Sequence, residues 1–209
     1  MSRTPRSRFF TALAAGSLVA LGLSQAAQAQ DSQRIRVRGA IESLSGDTLV
    51  VKTREGGDAT ITLKVGWKVG GVKKASVEDI KPGDFVGVAS LPKGSGPDGA
   101  IEVLIFPASM RGTGEGNRPW DVQPNSQMTN ATVSNAVKSV DGHMITLTYQ
   151  GKEKTITISD GTPIVTLAPA TKDDLKAGAG VIVTGEKAAD GSLSASQVAV
   201  GLNGITPPM

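Results

Sequence analysis

Ala75-Ser76-Val77-Glu78-Asp79-Ile80-Lys81-Pro82-Gly83-Asp84-Phe85-Val86-Gly87-Val88 is a short device that the chain repeats. The second copy is Ala170-Thr171-Lys172-Asp173-Asp174-Leu175-Lys176-Ala177-Gly178-Ala179-Gly180-Val181-Ile182-Val183. Each copy reads as one helical turn that stops and feeds a strand. Ser76 and Thr171 are N-cap residue types, whose side-chain oxygen can accept from an unpaired backbone N–H. Asp79 and Asp174 follow three residues later, in the form of a capping box. Ile80 and Leu175 are the single apolar residues of their turns, so each is expected to plug a core. Gly83 and Gly178 end the turns, because glycine readily takes the left-handed conformation found after a helix. The runs Phe85–Val88 and Val181–Val183 that follow are β-prone.

Working outward, the first copy sits among short strands and turns. Ile35-Arg36-Val37-Arg38 alternates apolar and basic residues, the period of a half-buried strand. Thr48–Lys52 and Ala59–Leu63 form the next two strands, and Ala100–Phe106 closes the set. Trp67–Val72 is a weaker segment, a loop or a short strand. The same order returns from Ala131 at an offset near 95 residues. Val133–Val140 aligns with Val37–Leu44, and Asp141-Gly142-His143 takes the place of the turn Ser45-Gly46-Asp47. Thr155–Ile158 repeats Thr60–Leu63, and Gln197–Val200 closes the second copy. A duplicated unit of this size with five strands predicts an all-β protein: two tandem small OB-like five-stranded barrels, each with one short helical turn. The expected division is 1–29 signal peptide, 30–106 first barrel, 107–130 Gly/Pro-rich linker without regular structure, 131–202 second barrel and 203–209 frayed tail.

The first 29 residues are set aside before charge is weighed. Arg3, Arg6 and Arg8 precede an apolar run, Phe9–Leu23, and Ala27-Gln28-Ala29 is a small-x-small cleavage site. That is a secretory signal with cleavage expected after Ala29, which implies a periplasmic or secreted protein. The chain holds 22 Lys and Arg against 19 Asp and Glu. Without the three signal arginines the counts are equal, so the basic pI belongs to the targeting segment and does not point to nucleic acid as a partner. No cysteine is present, so the fold rests on its core and not on disulfides. No later apolar run reaches the roughly 20 residues of a membrane helix.

The two hairpin strands, the Thr/Ser-x-x-Asp-Leu/Ile-Lys-x-Gly turn, the hydrophobic strand, the Asp-Gly turn and the closing strand together resemble the exported bacterial domain-of-unknown-function family 5666. The resemblance implies an OB-like fold and transfers no catalytic residues. Arg118–Val133 is similar to a subgroup often labelled metal ABC transporter permease. The sequence opposes that label, since a permease needs several membrane spans.

The candidate chemistry is sparse. His143, the only histidine, reads as a turn residue, without a second His or a Cys to complete a transition-metal site. Met144, Met110 and Met128 are the only soft donors near a copper reading. No Gly-x-Ser-x-Gly motif follows the signal segment, and no catalytic residue, metal ligand or cofactor is assigned. Arg34, Arg36 and Arg38 read as one solvated strand face. Trp120, in Arg118-Pro119-Trp120-Asp121, reads as an anchor for the linker or as part of a ligand surface. The residues nominated for a ligand or partner surface are Trp120, Arg118, Trp67 and Arg36. The functional expectation is a non-catalytic binding or interaction module of the bacterial envelope, its partner an envelope protein or small ligand. A metal-handling accessory protein is the alternative, and a hydrolase the third reading.

Overall fold

The computed structural model describes residues 32–139 and 142–208, so the signal segment expected at 1–29 lies outside the described residues. The alternating and β-branched runs become strands: β1 (Gln33–Ser45), β2 (Thr48–Thr53), β3 (Asp58–Lys74), β4 (Phe85–Leu91), β5 (Asp98–Ile105), β6 (Gly116–Pro119), β7 (Gln127–Ser139), β8 (Gly142–Tyr149), β9 (Lys152–Ile158), β10 (Ile164–Ala168), β11 (Gly180–Lys187) and β12 (Leu193–Gly201). The helical elements among the described residues are single 3-10 turns, so the chain is all-β.

The strands do not pair in the order of the repeats. β1, β2 and β3 of the first copy close into a five-stranded barrel with β11 and β12 of the second, in the ring order β12-β11-β1-β2-β3 and back to β12. The strands β4 and β5 left over from the first copy join β7, β8 and β9 of the second. That ring runs β5-β4-β7-β8-β9 and returns through a two-pair parallel contact, Asp98↔Ile156 and Gly99↔Thr157. Each ring has its own core. Leu49, Ile61, Val181 and Val200 fill the first, and Val86, Val133, Leu147 and Ile156 fill the second.

The registers show that the exchange obeys a local two-fold. β3 and β10 pair antiparallel about Val72↔Leu167, which are equivalent residues of the two copies. Val69↔Val198 between β3 and β12 has its counterpart in Ile164↔Val103 between β10 and β5. β3 is long because it carries the chain from one ring to the other. Gly66 bends it at φ 77°, which resets the inward face and turns Trp67 into the first core, where it is 8% exposed. Gly161 makes the equivalent bend at φ 83°.

The two opening turns are built alike. Asp79 Oδ2 accepts from Ser76 N at 2.8 Å and from Ser76 Oγ at 3.0 Å, and Asp174 Oδ2 accepts from Thr171 N at 2.7 Å. Both turns thus carry the expected capping box: the Ser76 and Thr171 side chains accept from the backbone N–H three residues on, and each Asp accepts in return from the cap backbone N–H. These bonds hold the Asp79 carboxyl below its ordinary pKa. Gly83 N then donates to Val133 O, and Gly178 N to Ile41 O. Val133 and Ile41 are thus equivalent, and both sit at a β-bulge. The first strands consequently align four residues away from the sequence alignment, and the β7–β8 hairpin is the longer one. His143 lies in β8, paired with Lys138 and Ile158, not in a turn.

Ile80 and Leu175 are buried in the second and first cores respectively. Ile80→Ala and Leu175→Ala should each cost about 2 kcal/mol, the low end for a large-to-small core change, because a single turn can settle into the space. Urea denaturation should show nearly equal losses for the two.

Two boundaries read from composition are corrected. The segment 107–130 is not free of regular structure: it holds a 3-10 turn at Ala108–Met110, all of β6 and the start of β7. Asn130 Nδ2 donates to Thr113 O and Gln150 N to Glu115 Oε1, which fastens the segment to the second ring. The tail is not frayed: Pro207 is buried, its carbonyl accepts from Arg54 at 3.2 Å, and Ile205 packs with Val72, Leu104 and Val165. Proline and a preceding 3-10 turn fix its path, which composition alone does not convey.

Candidate functional site

The copies differ most around the 107–130 segment, and the site is built there. A short loop closes on itself after β6. Trp120 N donates to Ser126 O at 2.8 Å, and the buried Ser126 Oγ lies 2.7 Å from Gln123 O and 3.0 Å from Trp120 O. This loop presents Trp120 and Asp121 to the outer face of β1. Alternation on β1 puts Arg36 and Arg38 on that face. Asp121 Oδ1 receives Arg38 Nη2 at 2.8 Å, and Oδ2 receives Arg36 Nη1 at 3.3 Å. The Arg36 guanidinium carbon lies 4.1 Å from the centroid of the Trp120 ring, and that of Arg118 5.5 Å. Both are within cation–π range.

The structure thus brings together three of the nominated residues, Trp120, Arg118 and Arg36. The fourth, Trp67, is a correction: the Gly66 bend buries it in the first core, with Lys172 Nζ 4.6 Å from its ring centroid. The reading of Arg34, Arg36 and Arg38 as a solvated face is also corrected. The Arg36 and Arg38 side chains are 27% and 11% exposed, because the Trp120 loop covers them.

Glu102 is the residue that sequence reasoning missed. It lies on β5 with 3% exposure. Burial pushes its carboxyl up to about 7, against the opposing charges of Arg38 and Arg54 and a hydrogen-bonding influence of Trp120. Its Oε1, the Trp120 Nε1 and the Arg38 Nε are three of the four buried side-chain atoms without a hydrogen-bond partner among the described residues. The Trp120 indole N–H faces Glu102 closely enough to influence it, but outside proper hydrogen-bond geometry. Unpaired buried polar atoms are costly, and their gathering in one place marks this cluster. Asp121 behaves oppositely. Burial raises its pKa, but the hydrogen bond and charge of Arg38 and the charge of Arg36 outweigh that and hold it lowered. A signal for Glu102 did exist, as the lone carboxylate in the apolar run Ala100–Phe106.

Beside the cluster lies a cavity of about 410 Å³. Its walls include Leu104, Phe106, Met110, Met128, Val198 and Pro207, and its rim carries Arg36, Lys68 and Arg118. The walls come from both rings, from the 107–130 segment and from the tail. A cavity of this size and lining is typical of small-molecule sites.

A second polar cluster lies at one end of the second ring. Lys154 Nζ pairs with Asp98 Oδ2 at 2.8 Å and lies within 3.4 Å of Ser90 Oγ, Asn117 Oδ1 and Thr129 Oγ1. The equivalent positions in the first ring are Ala59, Leu193, Gly185 and Val37. The cluster is internally satisfied and ties β6 to the ring, so its role is structural. Among the described residues, no group of three or more His, Cys, Asp or Glu side chains converges as a metal site. No helix is long and apolar enough to cross a membrane. No protein-family model, curated protein or solved structure matches the chain.

Proposed function

We propose that the protein is an exported, non-catalytic binding module of the bacterial envelope, and that the cavity beside Trp120 is its binding site. The observation that carries this reading is the gathering of the Trp120 ring and the Arg36 and Arg118 guanidiniums at one cavity, with the unpartnered indole N–H of Trp120 among its lining residues. The 107–130 segment, which has no counterpart in the duplicated unit, supplies Trp120, Arg118, Met110 and Met128 to it. The rings themselves are of OB type. Their Greek-key order, with the first strand beside the fourth and a plugging turn before the fourth, supports that assignment. The repeated Thr/Ser-x-x-Asp turn supports membership of the domain-of-unknown-function family 5666, and the signal-like segment supports export.

A metal-handling role has one observation in its favour: the Met110 and Met128 side chains line the same cavity. The three cations on the rim oppose a metal ion there.

The test is to titrate mature protein with a small-molecule fraction of a periplasmic extract and follow backbone amide shifts. Changes should concentrate at Met110, Trp120, Met128 and Arg36. Changes confined to other surfaces would refute the site.

A further inference from the structure

We infer that the ligand of this cavity is an amphipathic organic anion, with its acidic group held by Arg118 and Arg36 and its apolar body inside. This rests on the reading of the cavity as a binding site and adds the chemical class of its occupant. Arg36, Lys68 and Arg118 stand on the rim. Of these, Arg36 is reached by the Asp121 carboxylate, whose shorter contact goes to Arg38. Arg118 has no ion pair among the described residues. Its Nη1 donates to the Gly114 carbonyl at 2.9 Å, which leaves its other donors available. Two guanidiniums brought to one ring repel each other, and both burial and the neighbouring Arg36 lower the Arg118 pKa. An anion between them relieves that repulsion and suits the planar donor fork of arginine.

The interior sets the other half of the chemistry. Leu104, Phe106, Met110, Met128 and Val198 offer no charged group to a ligand body. Methionine side chains adapt to irregular apolar shapes. Neither Glu102 nor Asp121 lines the cavity, so its charged lining residues are the cations Arg36, Lys68 and Arg118. A wholly polar anion leaves the apolar walls unused, and a neutral apolar molecule leaves the guanidiniums unused.

The experiment uses mature protein and three ten-carbon probes, decanoate, decanol and decylammonium, followed by calorimetry and by the Trp120 indole N–H resonance. Decanoate should bind at least tenfold more tightly than the other two and should weaken as salt is raised. Arg118→Ala should weaken decanoate about tenfold and leave decanol unchanged. The salt series supplies the same answer if that variant folds poorly. Decanol or decylammonium binding as tightly as decanoate at the same resonances overturns the anion and leaves the site standing. No probe moving the cavity resonances overturns both. Sedimentation with phosphatidylglycerol vesicles, lost in Arg118→Ala, assigns the anion to a lipid headgroup. Binding of free decanoate without such sedimentation assigns it to a soluble amphiphile, and either result supports the inference.

Discussion

Cutting the chain after Phe106 should leave no folded monomer of either half. Each barrel takes three strands from one copy and two from the other, so a lone half keeps β1–β3 without the strands that close them. Leu49, Val51 and Ile61, at most 1% exposed in the intact chain, would then face water. Burial of such side chains is worth roughly 1.5–3 kcal/mol each, so these three alone account for about 5–9 kcal/mol, as much as the net stability of many domains, about 5–15 kcal/mol. Two copies of one half can still close on each other, because the pairings repeat about the Val72/Leu167 two-fold. Sedimentation and circular dichroism of residues 30–106 alone should therefore find dimer or unfolded chain. Mixing the two halves should restore one cooperative unfolding transition. A folded monomer of residues 30–106 is the result that would sink the exchanged topology.

Glu102→Gln should stabilise the protein above neutral pH and leave it unchanged near pH 4. The sign follows from the raised carboxyl. Below its ordinary value of 4.5 the group is protonated in both the folded and unfolded states and contributes nothing to pH dependence. Between 4.5 and about 7 the unfolded chain releases the proton while the folded chain keeps it. Stability therefore falls as pH rises through that window. The difference between 4.5 and about 7 corresponds to about 3 kcal/mol. Burial leaves little solvent to screen it. Thermal unfolding of the native protein should lose stability between pH 5 and 8, while the Gln variant stays flat. Equal slopes for the two would place the Glu102 carboxyl near its ordinary pKa. Asp121, whose pKa is lowered, acts the other way. Its contribution is present above its unfolded pKa and is lost only as pH falls through the folded value.

Much of the local structure was legible. The two S/T-x-x-D turns, their apolar plugs and their glycine stops are set by capping and by φ preference, and these act within a few residues. The strands followed from alternation. The partners of those strands were not legible, for a physical reason. The copies are equivalent, so Val183 meeting Val37 buries the same kind of surface as Val88 would in a self-closed repeat. Periodicity reports which face is inside and is silent about which copy supplies the neighbour. The uninterrupted run of β3 through Trp67–Val72 decides it, and Gly66 gave that stretch the appearance of a loop. The site was legible in part. Trp120, Arg118 and Arg36 were visible as residue types out of keeping with their surroundings. Their meeting with Arg38, Asp121 and Glu102 depends on the exchange and on the path of the 107–130 segment.

The exchange can be measured directly because the chain has no cysteine. Arg34 pairs with Glu186 across β1 and β11, whereas a self-closed first repeat would place Arg34 opposite Leu91. Paired Cα atoms of antiparallel strands lie ~4.5–5.5 Å apart, within the ~4.4–6.8 Å that a disulfide spans. Two double variants, Arg34→Cys with Glu186→Cys and Arg34→Cys with Leu91→Cys, can be oxidised as folded monomers and compared by mass and by gel mobility. The exchanged fold predicts rapid intrachain crosslinking in the first and none in the second. Crosslinking of Arg34→Cys with Leu91→Cys, and its failure with Glu186→Cys, would contradict it.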